Sequence, residues 1–172
     1  MTPLFRLMVM LLATILVTSC APPTPSEDIL LRIPIQSPSD LLTHSGVSID
    51  PLISSDGNGS ARIESSEPIT IRIAELEPPP FDTARIIYRA RLRTQGLAGK
   101  TYLEMWCSFT GQGEYFSRSL HDPVTGTTEW TTIQTPFILQ ENQVPNRIRL
   151  NLVIDGAGTV WIDDVVLSKA AT

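Results

Sequence analysis

From residue 47 to residue 167 the chain is a succession of short runs in which apolar and polar side chains alternate, each closed by glycine, proline, Asp or Asn. A period of two marks strands that bury one face, and no stretch shows the 3.6-residue period of a long amphipathic helix. The runs cover residues 60–65, 69–76, 84–95, 101–109, 114–120, 128–139, 147–154 and 159–167. Between them fall Asp56-Gly57-Asn58-Gly59, Pro78-Pro79-Pro80, the glycine pairs 96/99 and 111/113, and Asp155-Gly156-Ala157-Gly158, which reads as a hairpin connection. Short strands at this spacing predict an all-β chain folded as an antiparallel two-sheet β-sandwich or barrel, occupying residues 46–169.

Parity assigns the faces. Ile86, Tyr88, Ala90 and Leu92 share one side of their run, as do Leu103, Met105, Cys107 and Phe109, and Ile148, Leu150, Leu152 and Ile154. These sets are the predicted core. The opposite parity places Tyr102, Glu104, Trp106 and Asn151 outward, together with five arginines, 89, 91, 93, 147 and 149. If those strands adjoin, the arginines form a basic stripe that needs acidic partners such as Glu104 or an anionic ligand, a uronate for instance; ordinary cross-strand ion pairing is the plainer reading. A net charge of -5 argues against nucleic acid.

The start of the chain carries an address. Residues 7–17 form an apolar run behind Arg6. Eleven residues at about 1.5 Å per residue fall short of a hydrocarbon core of roughly 30 Å, so the run reads as a secretory signal rather than a membrane span. Val17-Thr18-Ser19-Cys20 resembles the lipobox of bacterial lipoproteins. That resemblance implies cleavage after residue 19, diacylglycerol on Cys20 and further acylation of the new amino terminus, a two-signal membrane anchor. Ala21 in place of Asp implies sorting to the outer membrane. A proline-rich tether follows within residues 20–45; residues 29–35 alternate partly but contain Pro34, which fits either continued linker or an edge strand. With Cys20 acylated, Cys107 has no intramolecular disulfide partner, and stability rests on the core.

The closing stretch, Trp130 to Phe137, then Arg147-Ile148-Arg149-Leu150-Asn151-Leu152, then Gly158-Thr159-Val160-Trp161-Ile162-Asp163-Asp164-Val165-Val166-Leu167, resembles carbohydrate-binding modules with the galactose-binding-like jelly roll. The resemblance implies a non-catalytic glycan binder and a structural calcium ion held by Asp163 or Asp164 with Asp56 or Asp50. A hydrogen-bonding role for Asp163 at the strand end is the alternative.

Sugar sites combine aromatic faces with polar side chains that fix hydroxyls. Trp106 and Tyr102, with Glu104, Arg89, Arg91 and Asn151, supply both and are the candidate contacts; alternatively Trp106 only covers the sheet beside arginine stems. Glu114-Tyr115-Phe116-Ser117-Arg118 either lines a cleft or is a strand with Phe116 in the core. Catalysis lacks parts. Glu104, Glu114 and Asp163 are the only attractive carboxylates, and His44 and His121 stand in neither a zinc nor a serine-triad setting. The sequence therefore predicts a lipid-anchored envelope protein that binds carbohydrate without catalysis, or the same sandwich serving as a structural or protein-interaction module of the envelope.

Overall fold

A computed structural model describes residues 27–171, so the signal, acceptor-cysteine and spacer readings lie outside the described residues. Eight strands join into one antiparallel sheet: β1 (Asp28–Ile33), β2 (Val47–Asp50), β3 (Ser60–Ser65), β4 (Ile69–Leu76), β5 (Ala84–Phe109), β6 (Gly113–Arg118), β7 (Val124–Ile138) and β8 (Arg147–Ala171). One 3-10 turn, Pro38–Asp40, links β1 to β2, closed by a capping box between Ser37 and Asp40.

Two of these strands organise everything else. β5 and β8 pair along nearly their whole lengths, from Ala84 opposite Ala171 to Ser108 opposite Arg147. The sequence divides each of them at its glycines, and the structure runs through both. Asp155-Gly156-Ala157-Gly158 is therefore not a hairpin connection but a corner within β8, packed against residues 95–99 of β5, where the register slips. Gly99, Gly156 and Gly158 have φ of 138°, 147° and 148°, values that L side chains rarely adopt. A Cβ on Gly156 would collide with the Ala98 carbonyl oxygen, and one on Gly158 would lie 2.6 Å from the Cα of Leu97. Only bare backbone lets the two ladders cross this bend together.

The bend folds the sheet onto itself. Before it, β5 is flanked by β7 and by the second part of β8, with β3, β2 and β1 beyond. After it, β5 is flanked by β6 and by the first part of β8, with β4 beyond. Inward side chains of both halves meet in one cluster, including Ile86, Tyr88 and Leu92 from the first and Leu103, Met105 and Ile148 from the second, so the predicted core sets hold. The result is the expected two-layer β-sandwich, built from one bent sheet.

The N-terminal boundary moves. β1 pairs with residues 165–169 of β8, and Ile35 and Leu41 are buried in the core, so residues 28–45 belong to the sandwich rather than to a tether. Pro34 follows the last ladder residue, Ile33, where its missing N–H costs no interior ladder bond.

Candidate functional site

The outer face of the second half collects the polar and aromatic side chains in rows across the strands. Cross-strand register places Arg72 of β4 beside Asn151 of β8, Asn151 beside Glu104 of β5, and Glu104 beside Arg118 of β6. The next row runs Glu75, Arg149, Trp106, Phe116. Tyr102 lies opposite Val153, on the other side of the Glu104 row from Trp106. Four strands at about 4.8 Å spacing give the face a breadth of about 14 Å.

Glu104 is the hub. Its side chain is 7% exposed, Arg118 Nε donates to Oε2 at 2.6 Å, and Asn151 Nδ2 donates to Oε1 at 2.9 Å. Burial alone would raise its pKa, but the donors Asn151, Trp106 and Arg118, with the Arg118 charge, outweigh it and hold the carboxyl below its ordinary value. Glu104 thus stays ionised, and its engaged oxygens orient the row.

Trp106 is half-buried, not sealed in the interior. Its ring packs on Phe116 with centroids 4.9 Å apart, and the Arg149 guanidinium sits 5.6 Å from its centroid. Phe116 is half exposed and shares the outer face with Glu114 and Arg118, which corrects its assignment to the core. β6 is an edge strand, so its outward residues meet solvent. Arg149 is held by Glu114 at 2.6 Å, and Ser108 donates to the same carboxylate at 2.7 Å.

At the β4 edge the face deepens into a groove of about 480 Å³, lined by Leu42, Thr43, Thr70, Arg72 and Asn151. Residues 42–43 form its wall by pairing with β4: Leu42 N–H donates to Ile73 O, Thr43 N–H to Arg72 O, and Arg72 N–H to Thr43 Oγ1. Sequence reasoning missed this wall, because residues 40–46 carry no strand pattern and their place depends on where the connection crosses β4.

The structure brings Trp106, Tyr102, Glu104 and Asn151 onto one face but separates Arg89 and Arg91 from them. Both precede the glycine corner, so their outward direction is that of the opposite side of the sandwich. Arg89 there pairs with Glu27 and Gln134. The predicted stripe of five arginines divides for the same reason. Arg93 bonds Glu129, while Arg147 and Arg149 lie with the Trp106 face and pair with Glu75 and Glu114.

Asp163, Asp164 and Asp56 form a different device. The register slip between Arg89 and Arg91 marks a bulge at Asp163-Asp164, with Asp164 at φ 49°, so that both Ile162 and Val165 face inward. Asp163 is fully buried, accepting Asp164 N–H at 2.8 Å and Ser55 N–H at 2.9 Å, while Asp164 accepts the Ser55 hydroxyl at 2.7 Å. Burial pushes the Asp163 carboxyl up, against these donors. Asp56 binds its own loop through Asn58 and Ser54. Among the described residues no three His, Cys, Asp or Glu side chains group to hold a metal ion. These carboxylates take the hydrogen-bonding role set beside the calcium reading, Asp163 and Asp164 with Ser55 and Asp56 with Asn58 and Ser54. They clamp residues 51–59 over the first half, where Trp161 lies buried with its indole N–H on Asp50 at 3.0 Å.

No family model matches the sequence, and no curated protein does. Solved structures do match in fold. The CBM22-1 xylan-binding domain from Paenibacillus barcinonensis Xyn10C superposes with a TM-score of 0.58 at 11% identity, covering 87% of this chain and 99% of that one. TmCBM61, solved in complex with β-1,4-galactotriose, gives 0.54 at 16% identity over 81% and 97%. A family 16 carbohydrate binding module gives 0.52 at 13% over 71% and 84%. The chain thus shares the jelly-roll β-sandwich fold of these solved modules.

Proposed function

We propose that this protein binds carbohydrate without catalysis, on the outer face formed by β4, β8, β5 and β6. The observation that carries the proposal is the contiguous row Asn151, Glu104, Arg118, flanked by half-buried Trp106 on one side and Tyr102 on the other. Half-open aromatic rings offer apolar surface to a pyranose, and the part-exposed Arg118 guanidinium, oriented by the buried Glu104, meets its hydroxyls. Glu104, held ionised by its donors, is poorly suited to act as a general acid, which favours binding over hydrolysis. The shared fold with glycan-binding modules supports the same reading.

The proposal places the protein in the bacterial envelope, anchored by acylated Cys20 and most consistent with the outer membrane. Its support is the tetrad Val17-Thr18-Ser19-Cys20 behind an apolar run. Glycan-array binding of residues 27–172, compared with Trp106→Ala, tests the binding. Retained glycan binding that falls at least tenfold in the variant is expected, and no binding to any glycan by the intact domain would leave the protein-interaction module in its place. Labelling with a radioactive fatty acid should disappear in Cys20→Ser.

A further inference from the structure

We infer that the groove at the β4 edge is a subsite for an anionic sugar, with the Arg72 guanidinium as its anchor. The inference rests on the glycan reading above and names the class of ligand. Five residues line the groove, and they comprise one cation, one amide, two hydroxyls and one apolar side chain, with no carboxylate among them. Its Arg72 side chain is 47% exposed and only loosely engaged, 3.7 Å from Glu75.

The charge pattern across the face explains why Arg72 remains available. Glu104 and Glu114 are each engaged at 2.6 Å, by Arg118 and Arg149. Glu75 is shared between Arg72 and Arg147, which it meets at 3.5 Å. Four guanidinium groups therefore face three carboxylates, on a chain whose net charge is -5, and the excess falls at the groove. A planar guanidinium fork pairs with the two oxygens of a carboxylate or phosphate better than with a lone hydroxyl.

The pairing of residues 42–43 with β4 fixes the wall, so the groove is formed before any ligand arrives. Asn151 reaches both into the groove and to Glu104, which makes the subsite continuous with the Trp106 face. A glycan lying across the strands would set an acidic residue against Arg72 and a neutral ring near Trp106.

The test is a titration of the full chain in neutral detergent against uronate-bearing, phosphate-bearing and neutral oligosaccharides of equal length, repeated with Arg72→Gln and Arg72→Lys. The expected result is a preference of about tenfold for one acidic class, weakened by raised salt, lost in Arg72→Gln and partly restored in Arg72→Lys. The arm that binds distinguishes carboxylate from phosphate. An unchanged thermal melt of Arg72→Gln shows that the variant folds. Neutral glycans bound as well as acidic ones would overturn the subsite and leave the glycan reading intact, and so would an acidic preference that survives in Arg72→Gln. Binding of no oligosaccharide at all would remove both.

Discussion

Arg118 Nε lies 2.6 Å from Oε2 of Glu104 across the β5–β6 ladder, tying an almost sealed carboxylate to the half-open edge of the face. A buried acid held this way contributes to stability only while it is ionised, and that gives the face a pH signature.

Glu104 has its folded pKa below the ordinary 4.5, so its contribution is fully present above about pH 4.5 and is lost as pH falls through the folded value. Unfolding free energies of the wild type and Glu104→Gln, from urea denaturation, should differ by about 2 kcal/mol at pH 7, the scale of hydrogen bonds to a charged group, and converge as pH falls through the folded value. A gap that stayed constant with pH would show that packing rather than charge is lost.

Asp163 carries the opposite sign. Its folded pKa lies above the ordinary 3.8, so it favours the folded state at low pH and this gain fades as pH rises through the folded value. Removing the side chain in Asp163→Ala leaves the Ser55 and Asp164 N–H groups without their acceptor. The expected cost is about 2 kcal/mol, with faster hydrogen exchange at Ser55 than at strand amides of the core.

The glycine corner separates two kinds of position. At Gly156 a Cβ meets backbone on the facing strand, whereas at Gly96, φ 60°, it meets nothing within 4 Å. Gly96→Ala should cost only the left-handed conformation, about 1 kcal/mol, while Gly156→Ala should cost more than about 3 kcal/mol or prevent folding. Chemical denaturation of the two variants, side by side, measures the difference.

Cys107 is buried, and that burial pushes its thiol up to about 12. In the Cys20→Ser chain at pH 8, a thiol reagent should therefore leave the native protein unmodified and label one cysteine per chain only after unfolding.

Much of this architecture was readable from residue order. The alternating sets at Ile86 to Leu92, Leu103 to Phe109 and Ile148 to Ile154 all face inward, since alternation is a local property of a strand beside a core. Tyr102, Glu104 and Trp106 share a face because parity is local, and Asn151 joins them through the β5–β8 register, which is not. Arg89 and Arg91 defeated the same reasoning. Parity says which side of a strand a residue takes, but not that the strand turns through a glycine corner and presents that side to the other end of the molecule. Phe116 failed for a related reason, since an apolar residue on an edge strand reads locally like one in the core.

Residue order by itself thus determined the strands, their inward faces and an aromatic and polar outer set, because each follows from side-chain alternation along a few residues. Only tertiary structure decided that two long strands bend together and that residues 42–43 wall a groove beside Arg72. It also turned the Asp163 carboxylate to the Ser55 amide. Those outcomes depend on contacts between residues far apart in the chain, whose free energies no local pattern encodes.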